Sequence, residues 1–203
     1  MREIVKEAPI YRREHAVNLG IVPYLCSKIA ILGVLCLVQS AVLVVMVNIA
    51  APLYEGIFLP ASLEVYMTLA LTSLAGLMLG LALSAVVPTN DRALSLLPLL
   101  LMPQVIFSGV IFALNGPVMQ FLGAFFAARW AMAALGSSVG LHGEKLGVDS
   151  FSSQGNRFVS VDPMKSQGPA LAHLLLVWGI LLLMIVLFAL LTGYFLKRKD
   201  VRV

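Results

Sequence analysis

Residues 94–135 have the sequence LSLLPLLLMPQVIFSGVIFALNGPVMQFLGAFFAARWAMAAL, and this stretch decides the fold. No Asp, Glu, Lys or Arg occurs from Ala93 to Ala128, a run of 36 residues, whereas a helix that crosses a bilayer needs only about 20. The Asn-Gly-Pro cluster at 115–117 predicts the end of that helix. The apolar residues that follow are too few for another crossing, so we expect a re-entrant segment over 117–135.

The composition indicates an integral membrane protein. Of the 203 residues, 60% are hydrophobic and 12% are charged, and the mean hydropathy is +0.97. A soluble domain carries about twice that share of charged residues. The net charge is +4, but the basic residues cluster at the ends of apolar runs, which is typical of orientation in a lipid bilayer rather than of nucleic-acid binding.

The apolar runs on both sides of this stretch predict an all-α membrane protein with four transmembrane helices. We divide the chain into a cytoplasmic segment (1–28) and a transmembrane domain (29–203). The predicted spans are residues 29–50, 65–87, 93–114 and 171–196. The polar stretch 136–169 is too long for a simple connection and predicts an external loop before the last helix.

The basic residues predict the orientation of these four spans. With residue 1 inside, ten basic residues lie on the cytoplasmic side and four lie outside, as the positive-inside rule requires. The inner residues are Arg2, Lys6, Arg12, Arg13, Lys28, Arg92, Lys197, Arg198, Lys199 and Arg202. The outer residues are Arg129, Lys145, Arg157 and Lys165. We therefore expect both termini in the cytoplasm and the protein in the plasma or inner membrane.

The second predicted span contains two glycines, Gly76 and Gly80, that lie about one helical turn apart. A pair of glycines at this spacing lets the backbone of another helix approach closely. We therefore predict helix packing at this pair.

The third predicted span carries prolines inside it and a polar face. Pro98 and Pro103 each remove a backbone donor, which kinks a membrane helix. Gln104, Ser108 and Ile111 share one face at helical spacing. That face either lines a cavity or makes ordinary hydrogen bonds between helices, and the pattern alone leaves both readings open.

The chain carries no convincing catalytic motif. It contains neither a G-x-x-x-x-G-K-[ST] loop for ATP nor a G-x-S-x-G nucleophile motif. His142 and Glu144 have the H-x-E form of a zinc deaminase, but no P-C-x-x-C follows them. His173 stands near the outer end of the last span, where an interfacial histidine is the simpler interpretation.

Two regions resemble G-subfamily ABC transporters and the related bacterial type-2 ABC export permeases. Residues 7–14 (EAPIYRRE), continuing to Tyr24 and the pair at 27–28, resemble that family's intracellular coupling segment. Residues 106–109 (IFSG) resemble the outer part of its fifth membrane helix, and residues 128–135 (ARWAMAAL) resemble the end of its re-entrant extracellular hairpin. The order of the elements agrees over nearly the whole chain.

The resemblance implies that the four spans are similar to the third to sixth membrane helices of the family. Its first two helices and its ATP-binding domain are then missing from this sequence, so we expect Met1 to be an internal or misassigned start, or the chain to be a fragment or half-gene. No cofactor is expected in this chain. ATP and Mg would bind an ABC ATPase domain, fused or separate, and two permease domains would form a homodimer or heterodimer.

The resemblance also assigns roles to three groups of residues. The residues that couple the chain to the ATPase would be Pro9, Tyr11, Arg13 and Glu14. The translocation path would include Gln104, Phe107 and Ser108. The apolar gate, which would close the path by excluding water, would be formed by Val110 and Ile111.

The expected function is therefore the permease part of an ATP-driven exporter, which is not itself an enzyme. Few polar groups lie at the bilayer midplane, which favours a lipid-like or amphipathic substrate. A stand-alone channel or ion-driven carrier is the first alternative, although such carriers usually keep an ionisable residue in a span. A membrane-embedded enzyme would depend on His142, Glu144 or His173. An accessory subunit would need neither the proline-kinked span nor the re-entrant segment.

Overall fold

The computed structural model describes residues 21–50, 59–87, 90–109, 117–138 and 167–200. In these ranges the chain forms six α-helices and no strand. The helices are α1 (Ile21–Ala50), α2 (Ala61–Val86), α3 (Asn90–Ile106), α4 (Pro117–Gly123), α5 (Ala127–Ser138) and α6 (Gln167–Asp200).

Three of these helices are long and apolar enough to cross a membrane. They contain the candidate spans Leu25–Ala50, Ala61–Val86 and Leu171–Arg198. Helix α3 is shorter, with 17 residues and an apolar part from Leu94 to Ile106. Because residues 110–116 lie outside the described residues, a complete crossing over 93–114 stays a prediction. The chain is thus an α-helical integral membrane protein.

Helix α2 lies at the centre of the bundle and packs against α1, α5 and α6. Its contact with α6 and α5 depends on size complementarity, since large residues on α6 meet alanines on the two other helices. Small residues let helices in a membrane approach closely and gain packing contacts. The buried cluster consists of Ala75, Ala127, Ala134, Leu174, Val177 and Leu181.

Helix α1 is attached to α2 along one narrow stripe. Gly33, Ser40 and Val44 are buried, and most other described side chains of α1 are exposed. A Cβ atom at Gly33 would lie 3.7 Å from Cδ2 of Leu74, an ordinary van der Waals contact, so α1 and α2 are neighbours at this position without requiring glycine. The Oγ atoms of Ser40 and Ser73 share a hydrogen bond of 3.2 Å. The opposite, apolar face of α1 is left to lipid or to another helix.

Two prolines define the ends of α2. Pro60 precedes the first residue of the helix, and its carbonyl accepts hydrogen bonds from the N–H groups of Leu63 (2.8 Å) and Glu64 (3.2 Å). Val87 has extended backbone angles (φ −78°, ψ 135°). It precedes Pro88, and a residue before proline avoids the helical conformation, so the helix stops at Val86.

Glu64 closes the start of α2 through its side chain. Its Oε1 atom accepts a hydrogen bond of 3.0 Å from the N–H of Leu59, and the residue has 0% exposure. In a usual capping box an acidic side chain reaches back to the N–H of the N-cap residue. The N-cap here is Pro60, which has no N–H, so the carboxyl group of Glu64 bonds the preceding residue instead.

A chain of hydrogen bonds connects this end of α2 to α6. Trp178 donates through Nε1 to Oγ1 of Thr68 at 3.0 Å, and the same hydroxyl donates to the carbonyl of Glu64 at 2.9 Å. Thr68 is fully buried, so both bonds lie in an environment from which water is excluded. Further along the same two helices Leu79 and Leu187 line one cavity, which shows that α2 and α6 run in the same direction.

We expect Thr68 and Trp178 to be energetically coupled. Thr68→Val and Trp178→Phe each remove one side of the bond. The double variant should show a coupling free energy of about 0.6 kcal/mol, the average for hydrogen bonds between membrane helices, and at most about 1.7 kcal/mol. A double-mutant cycle on the free energy of unfolding in micelles measures it. Thr192→Val, whose hydroxyl bonds the carbonyl of Phe188 on α6, combined with Trp178→Phe should be additive. Additivity of the Thr68 pair would contradict the coupling.

Candidate transport site

Helix α3 has two faces with different surroundings. Gln104 and Phe107 are half-buried and face the rest of the bundle. Leu101, Met102 and Val105 are 51%, 65% and 51% exposed and face away from it. The predicted path residue Gln104 therefore points towards the helices of its own chain, while the opposite face is apolar and uncovered.

The C-terminal end of α3 is a tight turn. The N–H of Phe107 bonds the carbonyl of Pro103 at 2.8 Å, and the hydroxyl of Ser108 bonds the carbonyl of Val105 at 2.7 Å. Gly109 follows with φ at 78°, a left-handed conformation that is open to glycine at no steric cost. Ser108 is buried, and its hydroxyl donates to its own helix, which helps to end α3 at this position.

Helices α4 and α5 form a helix–turn–helix hairpin within the predicted re-entrant region. Two consecutive side chains of α5 hold the end of α4. A guanidinium N–H of Arg129 donates to the carbonyl of Gln120, and Nε1 of Trp130 donates to the carbonyl of Ala124 at 2.9 Å. The carbonyl of Gln120 also accepts the N–H of Ala124 at 3.1 Å, so the guanidinium adds a second, charge-assisted bond to it, and the indole bonds the first residue after α4. Arg129 also lies 5.7 Å from the Trp130 ring centre.

The hairpin is joined to α3 by two stacked rings. The rings of Phe107 and Phe126 are 5.0 Å apart between centroids and nearly parallel, with an interplanar angle of 2°. This contact places the α4–α5 turn beside the C-terminal end of α3. Arg129 is half-buried in the same hairpin, and partial burial lowers the pKa of its guanidinium below the ordinary value.

A cavity of about 550 Å³ lies between α2, α3, the α4–α5 turn and α6. Its described walls are almost entirely apolar, and Gln104 is the one polar side chain among them. Pro103 also lines the cavity, and because it has no N–H it cannot donate a helical hydrogen bond to the carbonyl of Leu99. The predicted polar face of α3 thus borders a cavity at Gln104.

The two glycines of the predicted packing motif have different surroundings. Gly80 is buried. Gly76 lines the cavity, and a Cβ atom built on it would meet nothing within 4 Å. No helix of the described part of the chain packs closely on Gly76. Close packing there stays a prediction that requires a helix from elsewhere.

Several predicted residues lie outside the described residues. The coupling residues Pro9, Tyr11, Arg13 and Glu14, the gate residues Val110 and Ile111, and the loop residues His142 and Glu144 all belong to this group. Their assigned roles stay predictions. The hairpin helix α5 extends to Ser138 and α6 begins at Gln167, so most of the predicted external loop is also outside the described ranges.

The sequence interpretation missed Glu64. It started the second span at Val65 and therefore placed this carboxyl group outside the helix, whereas α2 begins at Ala61 and buries it completely. A signal was present in the sequence, since an acidic residue in the first turn after a proline is typical of a helix start. The hydrogen bond from Leu59 could not be inferred from spacing alone.

Comparison with known proteins adds to this geometry. The family model for the membrane domain of ABC-2 type transporters matches residues 3–138. The chain is also 36% identical over 145 residues to the ABC transporter ATP-binding/permease protein Rv1747 of Mycobacterium tuberculosis (strain ATCC 25618 / H37Rv). That alignment covers 70% of this chain and 17% of the relative, so the chain spans about a sixth of the relative's length. No solved structure matches this fold at a significant level.

Proposed function

The chain belongs to the ABC-2 type transporter family, whose membrane domains are permeases, and from this we propose that it moves a lipid-like or amphipathic substrate outward as part of an ATP-driven exporter. The observation that carries the proposal is the family match over residues 3–138, which spans the proposed coupling segment, α1 to α3 and the hairpin. ATP and Mg would bind a nucleotide-binding domain, and the M. tuberculosis relative is named an ATP-binding/permease protein.

The directions of the helices support four crossings. Helices α2 and α6 run in the same direction, so the chain between them has to return across the membrane. Helix α3, with 17 residues, has a length of about 25 Å, close to the roughly 30 Å of a hydrocarbon core. Four crossings place both termini on the same side of the membrane. That side then carries ten basic residues and the other side four, so the positive-inside rule favours a cytoplasmic location of the termini.

The polar end of α3 supports its role beside the translocation path. Gln104 gives the path one polar side chain within an otherwise apolar wall. Phe107 and Ser108 form the turn that ends this helix, and the Phe107 ring stacks on Phe126 of the hairpin. Val110 and Ile111 follow directly and would form the constriction that closes the path to water.

The uncovered face of α3 supports assembly with a second permease domain. Leu101, Met102 and Val105 form an apolar surface that no described helix of the chain covers. A second copy or a related permease domain on this face would place two such helices side by side, with Gln104 of each turned towards the cavity of its own chain.

The coupling role of the N-terminal segment gives the decisive test. Glu14→Arg reverses a charge in the segment that we propose to dock on the ATPase. In vesicles that contain the permease with its ATPase domain, we expect this variant to retain ATP hydrolysis and to lose ATP-dependent movement of a fluorescent phosphatidylcholine between leaflets. Fluorescence quenching from one side of the membrane measures that movement.

The matched control is Glu3→Arg, which makes the same charge change outside the motif and should leave both activities unchanged. Normal phospholipid movement by the Glu14 variant would overturn the coupling role. Absence of any ATP-dependent movement in the unmodified protein would contradict a phospholipid-like substrate.

A further inference from the structure

The cavity beside Gln104 lies at the depth of the hydrocarbon core. On α2 it is lined by Ala75, Gly76 and Leu79, close to the middle of the span Ala61–Val86. On α6 it is lined by residues between Ile180 and Phe188, again the middle of the span Leu171–Arg198. Because the centres of two membrane spans form its walls, the cavity is surrounded by hydrocarbon rather than by water.

The cavity opens towards the lipid. Three of its lining residues are strongly exposed: Leu99 (68%), Phe125 (63%) and Leu183 (65%). They belong to α3, the α4–α5 turn and α6, so the opening lies between these elements and faces sideways into the bilayer. A molecule can therefore enter from the membrane without passing through an aqueous compartment.

The residues that line the cavity determine which kind of molecule can bind in it. Among the described lining residues none is charged, and Gln104 is the one polar side chain. A phosphate or carboxylate has no cation to pair with there, and burial of an unpaired charge is strongly unfavourable. Close-packed protein interiors contain few empty spaces of this size. The cavity volume of about 550 Å³ lies within the range of roughly 300–1,000 Å³ that is typical of ligand sites.

We propose that this cavity is a binding site for one acyl chain of a membrane phospholipid, with the headgroup remaining outside it. The site lies within a single chain, and it goes beyond the proposed function because its occupancy needs neither ATP nor a second permease domain. The acyl chain fills the space between α3 and α6 and supports α3, which has few other contacts within the bundle.

Gly76 allows the cavity to be filled without disturbing the fold. A Cβ atom at this glycine meets nothing within 4 Å, so Gly76→Leu places its side chain in the open volume. Gly179→Leu is the matched control, because a Cβ atom there also meets nothing within 4 Å but the residue does not line the cavity. Both changes replace glycine in a helix with a better helix former.

The test uses the purified full chain in vesicles of phosphatidylcholine that include a fraction with a photoactivatable diazirine on the acyl chain. We expect labelling of the half-buried residues Gln104 or Met184 in the wild type and in Gly179→Leu, and loss of that labelling in Gly76→Leu. Leu99→Trp, at the exposed rim, should reduce the same labelling and provides a second variant. Labelling of Val38 and Val42, on the exposed face of α1, should be equal in all samples.

Two results would overturn the proposal. The first is labelling of the cavity residues that persists in Gly76→Leu, which places the lipid elsewhere. The second is absence of labelling in the wild type, which means that protein fills the space, either residues 110–116 or a helix of a second copy. The labelling experiment measures lipid binding without ATP. Neither result therefore bears on the proposed export function, which the ATP-dependent movement of phospholipid tests separately.

Discussion

Replacement of Glu64 by alanine is expected to lower the stability of the protein by about 1–3 kcal/mol, the cost of leaving a buried polar group without its partner. The variant removes the acceptor for the N–H of Leu59 at the start of α2. It also leaves a void at a position with 0% exposure, against which the bundle relaxes only in part. Thermal unfolding in detergent micelles, followed by size-exclusion chromatography, measures the loss.

Two further variants separate the hydrogen bond from general disturbance of the helix start. Glu64→Gln keeps a carbonyl oxygen in the place of Oε1 and should retain most of the stability. Leu63→Ala shortens the neighbouring side chain, which is 42% exposed, and should have a small effect. If the Glu64→Ala variant unfolds at the same temperature as the wild type, the carboxyl group of Glu64 does not stabilise the start of α2.

The long helices could be predicted from the sequence because membrane spanning imposes a simple length requirement. A run without charges of about 20 residues has to be a helix in lipid, since every backbone N–H and C=O needs a partner within the segment. The spans predicted at 29–50, 65–87 and 171–196 therefore coincide with the cores of α1, α2 and α6. The helix ends were less predictable, because they depend on particular prolines and caps.

The environment of single side chains could not be predicted in the same way. A 3.6-residue period places Gln104 and Ser108 on one face, but it does not tell which neighbouring helix that face meets. The structure turns Gln104 towards a cavity beside α2 and α6 and uses the hydroxyl of Ser108 for a bond to Val105. Likewise the spacing of Gly76 and Gly80 cannot distinguish a packed glycine from one that borders open space.

We expect Arg129 to contribute strongly to the stability of the α4–α5 hairpin, which the sequence motif at residues 128–135 does not by itself indicate. We expect Arg129→Met to weaken the closed hairpin by about 1.5–3 kcal/mol, the range for hydrogen bonds that involve a charged group. Methionine keeps much of the aliphatic length of arginine but cannot donate to the carbonyl of Gln120. The loss corresponds to a roughly 10- to 100-fold larger opening equilibrium.

Amide hydrogen exchange over residues 117–126 measures this opening, because the backbone N–H groups of α4 and its turn exchange when the hairpin separates. Arg92→Met makes the same chemical change at an exposed position on α3 and should leave the exchange rates of the hairpin unchanged. Trp130→Phe removes the other donor and should have a smaller effect, about 1 kcal/mol, because the indole N–H is neutral.

The pattern of the three variants separates two explanations of the hairpin. If Arg129→Met and Trp130→Phe both accelerate amide hydrogen exchange, the hydrogen bonds of these two side chains to the carbonyls of Gln120 and Ala124 hold the hairpin closed. If neither variant does so, the stacked rings of Phe107 and Phe126 suffice to fix the turn against α3, and the two donors are dispensable. The first result makes this hairpin a rigid extension of α5, able to pass a movement of α5 to the C-terminal end of α3.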